Sequence, residues 1–159
     1  MSARRRAKDT GPPQTDADEK ATLLGFLNYL RSAIAEKAAN VPEPQVRIAG
    51  VPSGTNLLGL VKHLTYVERF YFLGERVRNW NQTMRPSLDE TVEDLLADYQ
   101  EAIQQANHVI EVCPDLTLPA HRGQAPSMRW ALVHMIEETA RHAGHADILR
   151  EQLDGSTGR

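Results

Sequence analysis

The chain has 159 residues and a net charge of −3 at neutral pH, which suits one domain and argues against nucleic-acid binding through broad phosphate contact. Its 41% hydrophobic and 25% charged residues are ordinary globular usage, too apolar for a disordered chain and too charged for a membrane protein. The single cysteine, Cys113, excludes an internal disulfide and a cysteine-based zinc site, and a reducing cytoplasm is the expected compartment.

Residues 1–17 are predicted to form a disordered basic tail. Arginines at positions 4–6 and Lys8 precede Gly11 and two prolines, and no apolar periodicity is present. A secretory signal would need an apolar segment after the basic cluster, and none follows. A solvated arm is favoured over a segment that touches phosphate or a membrane. We therefore expect the folded domain to span residues 18–155.

The first two helices are predicted from apolar residues at three- and four-residue steps. Leu23, Leu27, Leu30 and Ile34 mark one face of a first helix, which begins near Asp18. Prolines at positions 42 and 44 end this helix because proline lacks the amide hydrogen. Thr55 or Asn56 caps a second helix, which fades near Arg78.

The third and fourth helices have clearer start and stop signals. Ser87 followed by Glu90 predicts a capping box at the third helix, whose buried stripe begins with Leu88. Pro114 stops it, a loop with three further helix-breaking residues follows, and Ser127 caps a last helix that runs to about Leu153.

Four amphipathic helices without a strand pattern or an internal repeat predict an all-α fold, a four-helix bundle. The first and third connections are long and permit crossovers instead of tight hairpins.

The last helix places polar groups on its inward face. At about 100° per residue, Ala131, Met135 and Leu149 define the core-facing stripe. Glu138 and His142 fall on the same line, and a buried carboxylate needs a partner or a metal ion. A Glu–His pair on an exposed surface is the alternative, which the apolar neighbours on this line disfavour.

The second helix adds a histidine to an inward face. His63 lies between Leu60 and Val67, where a lone histidine would be a hydrogen-bonded core residue. If it faces Glu138 and His142, two histidines and one carboxylate form a ligand set for zinc, nickel, iron or another divalent ion, with positions open for water or substrate.

Residues 60–69 (LVKHLTYVER) and 138–150 (ETARHAGHADILR) resemble the DinB-like superfamily of metal-binding four-helix bundles, and the resemblance covers the chain after the tail. That superfamily uses one histidine from the second helix and a His-x-x-x-His pair from the fourth. The resemblance implies His63 and His142 as ligands, with Glu138 at the position of the middle histidine. This is similar to the His/Glu/His site of mycothiol-dependent maleylpyruvate isomerase.

The resemblance implies transfer of a low-molecular-weight thiol, of the mycothiol or bacillithiol type, to an electrophilic small-molecule substrate. His63, Glu138 and His142 would hold a divalent ion, with zinc or nickel favoured over iron or manganese. His145 would handle a proton from outside the ligand set. The alternatives are hydrolysis by metal-bound water and a non-catalytic metal- or ligand-binding bundle, in which His145 could be a fourth ligand. Relatives pair through helix faces, so a homodimer is expected.

Several other residues receive weaker predictions. His121 begins a His-Arg-Gly-Gln string that follows the superfamily's last ligand, but it stands here between Pro119 and Pro126 and is predicted to be a loop residue. Three charged residues could either donate or accept hydrogen bonds at the metal ligands or simply be exposed to solvent, and the sequence does not separate these alternatives: Glu68, Arg141 and Asp147. The tryptophans at positions 80 and 130 are expected to pack in the core, with a place in the wall of a pocket as the alternative. Cys113 is expected to end a helix without chemistry, and His134 to lie at the pocket edge.

Overall fold

The computed structural model describes residues 11–14 and 18–157, and every regular element in these ranges is helical. The helices are α1 (Glu19–Ala38), α2 (Leu57–Leu73), α3 (Trp80–Thr83), α4 (Val92–Val112) and α5 (Met128–Asp154), with a 3-10 turn at Gln45–Arg47. The four long helices confirm the predicted all-α bundle. The short helix α3 lies in the connection between the second and third long helices. Most of the predicted tail lies outside the described residues.

The long helices pack mainly as two pairs. Helix α1 packs against α5 and α2 packs against α4, with a smaller contact between α2 and α5. The connections from α1 to α2 and from α4 to α5 join the two pairs, in agreement with the long first and third connections of the sequence. None of the described helices is long and apolar enough to cross a membrane.

The bundle core consists of two apolar clusters. One combines the first halves of α2 and α4 with the last halves of α1 and α5, and the other combines the opposite halves. Buried polar residues lie where the clusters meet. Arg31, which follows Leu27 of one cluster and precedes Ile34 of the other, is 1% exposed and forms an ion pair with the fully buried Glu68.

Two of the predicted caps are confirmed and one is wrong. Asn56 Oδ1 accepts from the Gly59 amide at 2.8 Å, and Ser127 Oγ accepts from the Trp130 amide at 3.1 Å. Helix α4, however, begins after Thr91, not after Ser87.

The prediction that Ser87 caps α4 was wrong because Glu90 has a second partner. Its carboxylate accepts from the Ser87 amide at 2.6 Å, as a capping box requires, but it also accepts from Lys62 Nζ at 2.8 Å. Residues 87–90 therefore form a turn that is tied to α2. Leu88, predicted to begin the buried stripe, is 92% exposed.

Helix α2 ends at Leu73, earlier than predicted, because Gly74 adopts a left-handed conformation with φ of 72°. His121 packs against this helix end, and its Nε2 donates to the Phe72 carbonyl at 2.8 Å. A Cβ atom at Gly74 would lie 2.9 Å from the His121 ring. His121 is thus a loop residue, as predicted, and it satisfies a carbonyl at the end of α2.

Candidate metal centre

The structure brings His63, Glu138 and His142 together. Glu138 Oε1 lies 3.2 Å from His63 Nε2 and 3.1 Å from His142 Nε2. One ligand atom from each of the three residues lies within 4.8 Å of the others. Their side chains are 13%, 16% and 12% exposed, so the group borders the core and remains open to small molecules.

Helix geometry places this group. Glu138 and His142 stand four residues apart on α5, so both project from one side of the helix. The flanking residues Met135 and Ala143 are buried in the two apolar clusters, which orients that side toward α2. The His63 and His142 rings meet edge to face, with centroids 5.1 Å apart.

Thr83 orients His63, a role that no sequence pattern indicated. The Thr83 hydroxyl donates to the Trp80 carbonyl at 2.6 Å and lies 2.7 Å from His63 Nδ1. Because the single hydroxyl proton is used on the carbonyl, the oxygen accepts from Nδ1–H of His63. The Nε2 lone pair of His63 is then directed at the carboxylate. This is the tautomer that a metal ion bound at Nε2 needs.

A glycine signals the approach of α3 to α2. A Cβ atom at Gly59 would lie 2.3 Å from the Met84 carbonyl oxygen. Only glycine therefore allows residues 80–84 to lie against α2 one turn before His63. A glycine within the apolar run at residues 57–61 was the available sequence sign of this contact.

The electrostatics favour the charge states that bind a metal ion. Burial raises the pKa of the Glu138 carboxyl, but the neighbouring imidazoles of His63 and His142 outweigh burial when they carry a proton, and the net direction is down. Burial lowers the pKa of His142; Glu138 opposes this effect and the charge of His63 adds to it, and the net direction is down. An ionised carboxylate beside a neutral imidazole is therefore favoured near neutral pH.

These charge states give a test of whether a cation fits. With Nδ1–H of His63 donated to Thr83, the Nε2 lone pair faces a carboxylate oxygen across 3.2 Å. Two lone pairs that face each other repel unless a proton or a metal ion lies between them. Two imidazole nitrogens and a carboxylate oxygen are ligands of zinc and of similar divalent ions. The donor set therefore fits a divalent ion.

His145 lies outside the three-residue group, on the outer side of His142. Its Nδ1 is 3.4 Å from His142 Nδ1, and the side chain is exposed. It also lines a small cavity of about 270 Å³ with Val51, Ile148 and Leu149. This position agrees with a role outside the ligand set, and the role itself stays a prediction.

The residues proposed to hydrogen-bond the ligands do not do so. Glu68 is fully buried and forms an ion pair with Arg31. Arg141 pairs with Glu137 on the outer side of α5. Asp147 pairs with Lys37 of α1 at 2.7 Å. Both alternatives considered for Glu68 were thus wrong, because the sequence did not show its partner on α1.

The two tryptophans are not simple packing residues. Trp80 is 40% exposed and Trp130 is 43% exposed. The Trp80 ring contacts His63, and the Trp130 ring stacks on His134. Cys113 ends α4 as predicted, and its thiol donates to the Asp115 carbonyl at 3.3 Å.

An all-helical bundle in which α2 and α5 bring two histidines and a carboxylate together defines a DinB-like protein. The chain belongs to the mycothiol-S-transferase family, whose model matches residues 22–155. The matched range contains α2, α3, α4 and α5 entirely and all but the first turn of α1. No curated protein matches the chain.

Proposed function

We propose that the protein is a metal-dependent enzyme that transfers a low-molecular-weight thiol, of the mycothiol or bacillithiol type, to an electrophilic small molecule. The observation that carries this proposal is the convergence of His63, Glu138 and His142 in a member of the mycothiol-S-transferase family. Structural zinc sites usually have four protein ligands. Within the described part of the chain the group contains three, which leaves coordination positions for a cosubstrate and favours a catalytic site.

The metal would bind to His63, Glu138 and His142, with zinc or nickel favoured by the two imidazole ligands. Bound there, a divalent ion lowers the pKa of a thiol so that the reactive thiolate exists at neutral pH. Thr83 holds His63 in the tautomer that presents Nε2. Glu138 supplies negative charge that offsets part of the charge of the ion.

His145 is the residue we assign to proton transfer. It contacts His142 through Nδ1 and is exposed to solvent, so it can take a proton from the site and exchange it with water. Because His145 contacts the side chain of His142 and would not itself bind the metal ion, its replacement should slow turnover more than it weakens metal binding.

The test is elemental analysis of the purified protein and of three variants. His63→Ala, Glu138→Ala and His142→Ala should each lose most of the bound metal and the consumption of mycothiol in the presence of an electrophile. His108→Ala is the matched control, because His108 is exposed on α4. Full metal content in His63→Ala would refute the site. A metal-loaded protein that consumes no thiol would refute the transferase activity and leave the site standing.

A further inference from the structure

A set of aromatic side chains adjoins the candidate metal centre on the side of the α5 N-terminus. Trp130 stacks on His134 with ring centroids 4.9 Å apart and an interplanar angle of 20°. Tyr71 of α2 meets the His134 ring edge to face at 4.9 Å and approaches Trp130 at 5.9 Å. Three rings from two helices therefore form one surface.

The same surface continues to the candidate ligand on α2. Phe70 contacts Tyr71 at 5.0 Å and Trp80 at 5.4 Å, and Trp80 contacts His63 at 5.9 Å. We call the five residues of this surface the aromatic wall: Phe70, Tyr71, Trp80, Trp130 and His134. It is an unbroken series of ring contacts that ends at His63.

The aromatic wall is exposed at both of its tryptophans, which are 40% and 43% exposed. Large aromatic rings gain most when they are buried, and a contiguous exposed apolar surface beside a polar site marks a place for a ligand. The bundle core does not account for these rings, because the two apolar clusters consist of other residues and only Tyr71 of the wall packs against one of them.

The position of the wall on α5 identifies its occupant. Trp130, His134, Glu138 and His142 follow one another at steps of four residues, so each lies about one turn from the next on neighbouring parts of the helix surface. A planar group that lies on Trp130 and His134 is therefore one to two helical turns, about 6–12 Å, from Glu138, and His142 lies one turn further on. This is the length of a substituted benzene ring. It indicates a small molecule that reacts at the centre and not a macromolecular partner.

Tyr71 adds a polar group to this surface. Burial, and then the charge of Glu138, raise the pKa of its phenol, so the hydroxyl remains protonated at neutral pH. A protonated phenol within the wall can donate a hydrogen bond to an oxygen of the bound molecule.

We propose that the aromatic wall binds the aryl group of the electrophile, so that the enzyme prefers thiol acceptors with an aromatic ring next to the reactive carbon. This proposal rests on the proposed function. With an aryl epoxide, the thiolate sulfur forms a bond to an epoxide carbon while the bond from that carbon to oxygen breaks. The electron pair goes to the oxygen, which takes up the proton that the thiol has lost.

The first measurement is binding without turnover. Both tryptophans of the chain belong to the wall, so the intrinsic fluorescence of the metal-loaded protein reports directly on it. Titration with 4-nitrostyrene oxide in the absence of thiol should quench the emission with saturation, whereas 1,2-epoxybutane should not. Trp130→Ala should abolish the saturable part of the quenching, measured on Trp80. Val133→Ala is the matched control, because Val133 is an apolar residue of α5 that is 53% exposed and lies outside the wall.

The second measurement is the ratio of kcat/KM for 4-nitrostyrene oxide to kcat/KM for 1,2-epoxybutane, with mycothiol as the thiol. Trp130→Ala should lower this ratio about tenfold, the size expected for losing one aromatic contact, and Val133→Ala should leave it unchanged. An equal loss for both epoxides would overturn the proposal.

The outcomes separate this proposal from the proposed function. If no epoxide is consumed but saturable quenching disappears in Trp130→Ala, the wall is a ligand site and the transferase activity is refuted. If quenching is absent, or persists unchanged in Trp130→Ala, the wall is not the aryl site. If the emission changes with protein concentration and light scattering shows a dimer that Trp130→Ala dissociates, the wall is an interface between two copies and the proposal is overturned.

Discussion

Replacing Glu68 with alanine should destabilise the protein strongly, although Glu68 has no role at the metal centre. Its carboxylate accepts two hydrogen bonds from Arg31, from Nε at 2.7 Å and from Nη2 at 2.5 Å. Both side chains are almost completely buried, at 1% and 0% exposed. Glu68→Ala leaves the guanidinium of Arg31 in the core with two unpaired donor groups.

The magnitude follows from the burial. Breaking a fully buried ion pair by removing one partner costs about 3–5 kcal/mol. Arg31 Nη1 keeps acceptors on Asn28 and Asn107, at 2.8 and 2.7 Å, which places the expected cost at the lower end, about 3 kcal/mol. For a chain of this size the loss corresponds to roughly 6–12 °C in Tm.

The assay is urea unfolding followed by circular dichroism, with a double variant and a surface control. Arg31→Met with Glu68→Leu removes both charges and fills the space, so it should lie within about 1 kcal/mol of the wild type. Glu137→Gln removes an exposed ion pair with Arg141 on α5 and should cost less than about 0.5 kcal/mol. A loss in Glu68→Ala no larger than in Glu137→Gln would refute the reasoning, as would a double variant less stable than Glu68→Ala.

Three further predictions concern the metal centre and the helix ends. Thr83→Val should weaken metal binding about tenfold by freeing His63 Nδ1, and Thr83→Ser should restore it; competition with a chelating dye measures both. Gly74→Ala and Gly155→Ala, at φ of 72° and 70°, should each lose about 1 kcal/mol in urea unfolding, with a larger loss at Gly74 because only there would the new Cβ meet a ring. Burial raises the pKa of Glu90, but its hydrogen bonds outweigh burial and the net direction is down. The ionised Glu90 therefore stabilises the folded protein at pH values above the pKa of glutamate in the unfolded chain, about 4.3. This stabilisation is lost as the pH falls through the pKa of Glu90 in the folded protein. The stability difference between the wild type and Glu90→Gln should shrink from about pH 5 to pH 3, and a constant difference would contradict this.

The convergence of the three candidate ligands could be predicted from the sequence, because each of them lies on an apolar helix face. His63 is flanked by Leu60 and Val67, and Glu138 shares its line with Met135. Helical periodicity fixes which side chains point inward, and inward polar groups from two helices of one bundle must find each other or remain unpaired. This reasoning needs no knowledge of the helix pairing.

The sequence was not sufficient where the decisive partner comes from another element. The role of Thr83 depends on a four-residue helix whose contact with α2 no periodicity encodes. The burial of Glu68 depends on Arg31, which lies 37 residues away on α1. The exposure of Trp80 and Trp130 could not be predicted, since tryptophan is apolar enough to be expected in the core.

The candidate ligands are divided between the two helix pairs of the bundle. His63 belongs to α2, which packs on α4, whereas Glu138 and His142 belong to α5, which packs on α1. The direct contact between α2 and α5 is smaller than either of these pairings. An ion held by all three residues would thus be a crosslink between the two halves of the molecule, and its affinity would add to the free energy of unfolding as RT ln(1 + [M]/Kd). Heat resistance would then depend on the free metal concentration of the medium, and depletion of the ion would loosen the contact between the halves before it disturbed either half.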